Sequence, residues 1–135
     1  MTFLDTSVAG NLLVDGPGTQ GSKELFASNQ PLLGSSSMIA ELLRLATRQD
    51  VDHRRAEALL ARVQLLTVDD TVHREAGRLI TPGTWILAAE AIHLVCALRL
   101  AQDEFLTYDR VQARGAGSLG MTVRSPGLED RWWCS

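Results

Sequence analysis

Four acidic side chains stand where a fully solvated charge is not the expected arrangement: Asp5, Glu41, Glu90 and Asp109. Asp5 closes the short apolar run Thr2 to Leu4, and Asp109 closes Phe105-Leu106-Thr107-Tyr108. Both runs read as strands, and in open parallel sheets ligands bind just beyond the carboxyl ends of strands. Each aspartate equally suits the N-cap of a following helix, whose first N–H groups have no intrahelical partner. Glu41 falls three residues after Met38 and four before Leu45, at the border of an apolar helical stripe. An ionised group there needs a partner or a metal, unless it lies at the rim or merely complements the helix dipole. Glu90 belongs to Trp85 to Ala101, a stretch apolar nearly all round except for Glu90, His93 and Arg99. Read as a buried helix, that stretch makes Glu90 a carboxylate in need of a partner or an ion, because burying an unpaired charge costs several kcal/mol.

Clustered carboxylates suit hard divalent cations, which take oxygen ligands. His93 stands one turn from Glu90, and Glu-x-x-His is also the helical signature of di-iron bundles, but no second copy occurs in the chain. His93 is therefore expected as a core histidine bonded to a carboxylate or backbone group, and His53 and His73 as helix-surface residues. No Cys/His spacing suggests zinc, no GxxxxGK[ST] suggests a P-loop, and no Ser-His-Asp order announces a hydrolase triad.

The elements that must position the acids fit one domain of 135 residues, 45% hydrophobic and 21% charged. Strands are expected at Thr2 to Leu4, Pro31 to Gly34, Leu65 to Val68, Glu104 to Thr107 and Met121 to Arg124. Helices are expected at Ser22 to Ser28, from Met38 through Arg48, at Asp52 to Arg62, after the Asp69-Asp70-Thr71 cap, at Thr84 to Ala101 and from Asp109. Such alternation indicates an α/β domain with a mainly parallel sheet. The longest apolar stretch, Trp85 to Leu98, falls short of the ~20 residues of a bilayer span. With no leader pattern in the opening residues and only Cys96 and Cys134 as thiols, a cytoplasmic protein without membrane attachment is expected. Net charge is −3, and Lys23 is the one lysine beside twelve arginines, which bind phosphate well although GC-rich coding also favours them.

These motifs, in this order, resemble the PIN-domain nucleases and, among them, the VapC-type toxins, over nearly the whole chain. Phe3-Leu4-Asp5-Thr6-Ser7 is similar to the family's first strand and acid, and Ser36-Ser37-Met38-Ile39-Ala40-Glu41-Leu42 to the helix start with the second. Glu90-Ala91-Ile92-His93-Leu94 takes the place of an Asp-Ala-x-His segment, Leu106-Thr107-Tyr108-Asp109 resembles the strand end with the last acid, and Val123 with Pro126-Gly127 resembles the usual close. The resemblance implies a three-layer α/β/α sandwich around a small parallel sheet, with a nuclease domain over 1–127 and a C-terminal tail over 128–135. It implies that Asp5, Glu41, Glu90 and Asp109 are catalytic and hold Mg²⁺ or Mn²⁺, which activates a water to cleave RNA. It also implies a toxin blocked by a cognate antitoxin, and a homodimer.

Glu90 departs from the family, which usually has aspartate there. Its extra methylene bears on the near-octahedral geometry that Mg²⁺ demands. Arg110 and Arg114, beside the last acid, are expected either as helix-surface charges or as holders of flanking RNA phosphates. Trp132-Trp133 in the tail is expected against the protein's own surface, with a partner contact as the alternative. Receiver-type phosphoacceptors and haloacid-dehalogenase-like phosphatases also place aspartates at strand ends, but they need a lysine near a later strand, and Lys23 comes too early. The dehalogenase pattern also wants an acid where Ser7 stands. The rival from another class is a PIN-like module that has lost catalysis through Glu90 and only binds protein or RNA.

Overall fold

Alternation along very short strands builds the molecule around a single sheet. In the computed structural model, which describes residues 2–102 and 104–134, the strands are β1 (Thr2–Leu4), β2 (Leu32–Ser35), β3 (Val63–Leu66), β4 (Glu104–Leu106) and β5 (Thr122–Arg124). Met1 and Ser135, the ends of the expected nuclease domain and tail, lie outside the described residues. All described strands pair in parallel, in the order β3-β2-β1-β4-β5. The helices are α1 (Thr6–Gly10), α2 (Thr19–Ala27), α3 (Ser37–Arg48), α4 (His53–Ala61), α5 (Asp70–Arg78), α6 (Ala88–Arg99) and α7 (Arg110–Ser118), and a 3-10 turn spans Trp132–Cys134.

Successive strand residues point to opposite faces, and both faces are covered. Phe3, Leu33, Phe105 and Val123 face one core together with residues of α5, α6 and α7. Leu4, Leu32, Leu106 and Val63 face the other, against α1, α3 and α4. The expected three-layer α/β/α arrangement around a parallel sheet is thus present. It explains why the inner strands β1 and β2 are buried along their whole length, while the outer β3 and β5 carry exposed Gln64, Thr122 and Arg124. Phe3 and Phe105 lie in register on adjacent strands with ring centroids 5.6 Å apart, tying β1 to β4.

Chain order reverses at β1: β2 and β3 extend the sheet to one side, while β4 and β5 continue on the other. The crevice beyond the carboxyl ends of β1 and β4 is therefore a topological switch point, the usual ligand position in open α/β sheets.

Three elements differ from the sequence expectation: α2 starts at Thr19 instead of Ser22, β3 runs two residues earlier than Leu65 to Val68, and α6 starts late. The helix read from Thr84 begins only at Ala88, and Trp85, expected within a buried helix, is 83% exposed. Gly83 takes a left-handed φ of 76° after Pro82, the Thr81 hydroxyl donates to the Thr84 carbonyl, and Leu87 remains extended. The helix then starts at Ala88, with Leu87 in the N-cap position and no side-chain cap from it.

Candidate active site

Asp5 is the N-cap of α1, and Asp109 is the N-cap of α7, accepting from the Gln112 N–H at 2.9 Å. Both capping alternatives are therefore realised, and both carboxylates still open onto one cavity of about 180 Å³ at the switch point. Glu41 from α3 and Glu90 from α6 line the same cavity, with His93 and Gln112. Asp5, Glu41 and Asp109 share one pocket because each follows, or sits on the helix after, a strand end at one edge of the sheet, whereas Glu90 reaches it from the first turn of α6, a helix that follows α5 and a loop.

Asp5 is nearly buried and is held from both strand ends. Its Oδ1 accepts from the Ser7 N–H at 3.1 Å and the Ser7 hydroxyl at 2.5 Å, and its Oδ2 accepts from the Thr107 hydroxyl at 2.7 Å. The two hydroxyls are fixed in turn, Ser7 Oγ by the Tyr108 N–H at 2.8 Å and Thr107 Oγ1 by the Asp109 N–H at 3.0 Å. Burial raises the Asp5 pKa to about 6 against the pull of His93, Ser7 and Thr107, and the neighbouring Asp109 charge adds to the rise.

Burial also works against the Glu41 charge, but His93 and Thr6 outweigh it and hold the carboxyl below its ordinary value. His93 Nε2 donates to Glu41 Oε1 at 2.6 Å, and the Thr6 hydroxyl donates to the same oxygen at 2.7 Å. The other ring nitrogen, Nδ1, meets Ser35 Oγ at 3.1 Å. His93 is thus the expected core histidine bonded to a carboxylate, and that carboxylate comes from α3, not from Glu90 on its own helix.

Glu90 requires a correction. It is not isolated within a buried apolar helix: it occupies the first turn of α6, half-buried, and its carboxylate accepts from the Leu87 N–H. A carboxylate at that position satisfies an orphan donor and meets the positive end of the helix dipole. The desolvation argument for a metal at Glu90 therefore falls away, while its place on the cavity wall remains.

The family profile of the PIN domain matches residues 2–117. The chain belongs to the PIN-domain family. Solved structures that share its fold include the following three. Mycobacterium tuberculosis VapC20, a Sarcin-Ricin loop cleaving toxin, is 20% identical with a TM-score of 0.73 over 93% of this chain and 100% of that one. FitAB bound to an IR36 DNA fragment is 20% identical with a TM-score of 0.72 over 98% and 99%. FitAcB from Neisseria gonorrhoeae is 18% identical with a TM-score of 0.61 over 91% and 96%. No curated protein matches the chain.

In this PIN domain the pocket's donor set fits a hard divalent cation, being built from carboxylate oxygens without thiolates. A cation there would relieve the burial and the Asp109 repulsion that raise the Asp5 pKa. Beside the pocket, Gln112 Nε2 donates to the Glu90 carbonyl at 3.1 Å, and its buried Oε1 has no hydrogen-bond partner among the described residues. Among the described residues no group of three or more His, Cys, Asp or Glu is drawn together as a ready-made ion site.

Several site residues escaped the sequence reading. Ser7 and Thr107 flank the two strand-end acids, so hydroxyls next to Asp5 and Asp109 were the available signal. Thr6 and Ser35 carry no pattern of their own. Gln112 sits on the buried face of α7 beside Ala113 and Ala116, where spacing alone marks an ordinary core position.

Proposed function

We propose that this PIN domain is a divalent-metal-dependent endoribonuclease and the toxin of a toxin–antitoxin pair. The observation that carries the reading is the convergence of Asp5, Glu41, Glu90 and Asp109, from four elements, on one cavity at the sheet's switch point. These four carboxylates would hold Mg²⁺ or Mn²⁺, which supplies a water nucleophilic at neutral pH and stabilises the leaving oxygen of an in-line phosphoryl displacement. The protein's own part is positional. Ser7 and Thr107 keep both Asp5 oxygens oriented, and His93 with Thr6 fixes Glu41. Asp109 stands exposed at the rim, where substrate enters.

An antitoxin partner is part of this reading. Ile80, Trp85 and Leu87 are 79%, 83% and 67% exposed, and Leu87 borders both the acid pocket and the neighbouring apolar depression that Trp85 lines. A partner covering these side chains would also close the pocket. The likeness to VapC20, a Sarcin-Ricin loop cleaving toxin, supports the same assignment. The homodimer rests on family resemblance, and size-exclusion chromatography of the isolated chain checks it. Among the described residues no helix is long and apolar enough to cross a membrane.

One observation favours a module that binds without cutting: Glu41 is already engaged by His93 and Thr6, and among the described residues no three metal-ligating groups stand together. A single experiment separates the readings. The protein and its Asp5→Asn variant are induced in a bacterial host, newly formed RNA 5′ ends are mapped, and the purified proteins are incubated with RNA in Mg²⁺, Mn²⁺ or EDTA. The nuclease reading requires metal-dependent cleavage by the parent alone. Cleavage undiminished by EDTA, or an equal lack of cleavage in both proteins, overturns it.

A further inference from the structure

We propose that Arg44 and Arg48 on α3 form a binding subsite for RNA backbone phosphates, a track along which the strand leaves the acid pocket on the Glu41 side. The inference rests on the nuclease reading above and adds the path of the substrate. A chain of net charge −3 that gathers four acids around its pocket repels RNA unless cationic side chains lie beside that pocket.

The arginines next to the last acid are committed elsewhere. The Arg110 guanidinium lies 5.3 Å from the centroid of the Trp132 ring, and Arg114 donates to the Trp133 carbonyl at 3.1 Å. These contacts bind the C-terminal tail to α7 and realise the expected packing of the two tryptophans on the protein's own surface. Other arginines are engaged as well: Arg54 with Asp52, Arg99 with Glu75, Arg124 with Glu104, and Arg55 and Arg62 with backbone carbonyls.

Among the described residues Arg74 and Arg78 on α5 are also unengaged, but they line neither cavity, whereas Arg44 and Arg48 stand beside Glu41. Both are exposed and, among the described residues, neither makes an ion pair or a side-chain hydrogen bond, although Arg44 stands one turn from Glu41. With Glu41 and Leu45 they line a second concavity of about 410 Å³. Glu41 borders both cavities, so the two arginines lie on the helix face next to the acid pocket. Four residues of helix advance about 6 Å, which places the two guanidinium groups in file along one helix face, leading away from Glu41. Arg48 lies in the last turn and also complements the helix dipole. That accounts for a cation at the helix end but not for Arg44 one turn earlier.

The test uses full-length protein carrying Asp5→Asn, so that RNA is bound in Mg²⁺ without being cut, and a fluorescein-labelled single-stranded RNA of mixed sequence. Anisotropy is recorded at stepped KCl concentrations. Each phosphate contact on a single strand contributes about −0.7 to the slope of log K against log salt. Adding Arg44→Gln and Arg48→Gln should flatten the slope by about 1.4 and weaken binding several-fold at low salt. Adding Arg74→Gln and Arg78→Gln, exposed α5 arginines that line neither cavity, should leave both quantities unchanged. In the active protein the Arg44 and Arg48 pair should raise KM for RNA. An unchanged slope in the Arg44 and Arg48 pair, with parental binding intact, overturns the track alone. Equal losses from both pairs overturn it in favour of diffuse attraction. No RNA binding by the Asp5→Asn parent overturns it together with the RNA reading.

Discussion

Asp5 shows how a site acid acts on stability. Its pKa in the fold, about 6, stands above the ordinary 3.8 chiefly because burial disfavours the charge. As pH rises the unfolded chain therefore ionises first, so the fold loses stability between about pH 4 and 6 and stays at the lower level above that. The difference corresponds to about 3 kcal/mol at neutral pH. Asp5→Asn keeps a capping oxygen and removes the charge. In chelator it should melt several degrees above the parent at pH 7, with the gap closing towards pH 4, while cleavage is lost. Calorimetric melts of both proteins at the two pH values check the sign, and no gap at pH 7 would mean that Ser7, Thr107 and His93 fully offset the burial. Glu90 makes a contrasting case, because its bond to the Leu87 N–H is one that glutamine also makes. Glu90→Gln should leave the metal-free melt nearly unchanged and weaken Mn²⁺ binding. Glu90→Asp, the family's usual residue, should keep metal binding and lose part of the cap, by about 0.5–1 kcal/mol. Titration calorimetry with Mn²⁺ decides: unaltered affinity in Glu90→Gln removes Glu90 from the metal ligands.

At the scale of elements, α3 and α6 hold the site through one clamp, His93 reaching Glu41 on α3 and Ser35 at the end of β2. His93→Gln should lower cleavage by misplacing Glu41 while leaving metal-independent RNA binding intact, which anisotropy in EDTA measures. The far end of α6 carries a local conflict. Three helices close with the same hydrogen-bond pattern around a left-handed residue: Asp50 after α3, Ala101 after α6 and Gly120 after α7. Only the last is glycine, and a left-handed alanine costs about 1–2 kcal/mol. Ala101→Gly should therefore raise stability by about 1 kcal/mol and the melting temperature by a few degrees, without effect on cleavage. A lower melting temperature would show that the unfolded-state entropy of glycine dominates.

For the whole molecule, four carboxylates around one cavity make cation binding and folding interdependent. A ligand that binds only the folded chain stabilises it by RT ln(1 + [L]/Kd). Mg²⁺ or Mn²⁺ at a hundred times its dissociation constant should therefore add about 2.7 kcal/mol. The rise should be smaller in Asp5→Asn and absent in EDTA, as read by thermal melts over a metal series. An equal shift in parent and variant would place the bound ions outside the acid pocket. The tail joins the same cooperative unit, since Trp133 is buried in the core shared by α5, α6 and α7, and Trp132 Nε1 donates to Ser125 Oγ at 2.7 Å.

The sequence alone determined the alternation of strands and helices, because apolar period and turn residues are local properties. It also marked Asp5 and Asp109, since a strand end followed by a helix start is written in adjacent residues. It could not decide between cap and ligand for either, and the structure shows each as a cap that also lines the pocket. For Glu90 local pattern misled: apolar composition from Trp85 to Ala101 looked like one buried helix, but whether a residue faces core or solvent depends on what packs against it. The turn at Gly83 put Trp85 and Leu87 outside and Glu90 in a first turn. The pairing of His93 with Glu41, 52 residues away, and the orphaned Gln112 oxygen were likewise settled only by tertiary structure. Hydrogen bonds between elements depend on strand order, and strand order follows from how two apolar faces of one sheet are covered, which no stretch of neighbouring residues specifies.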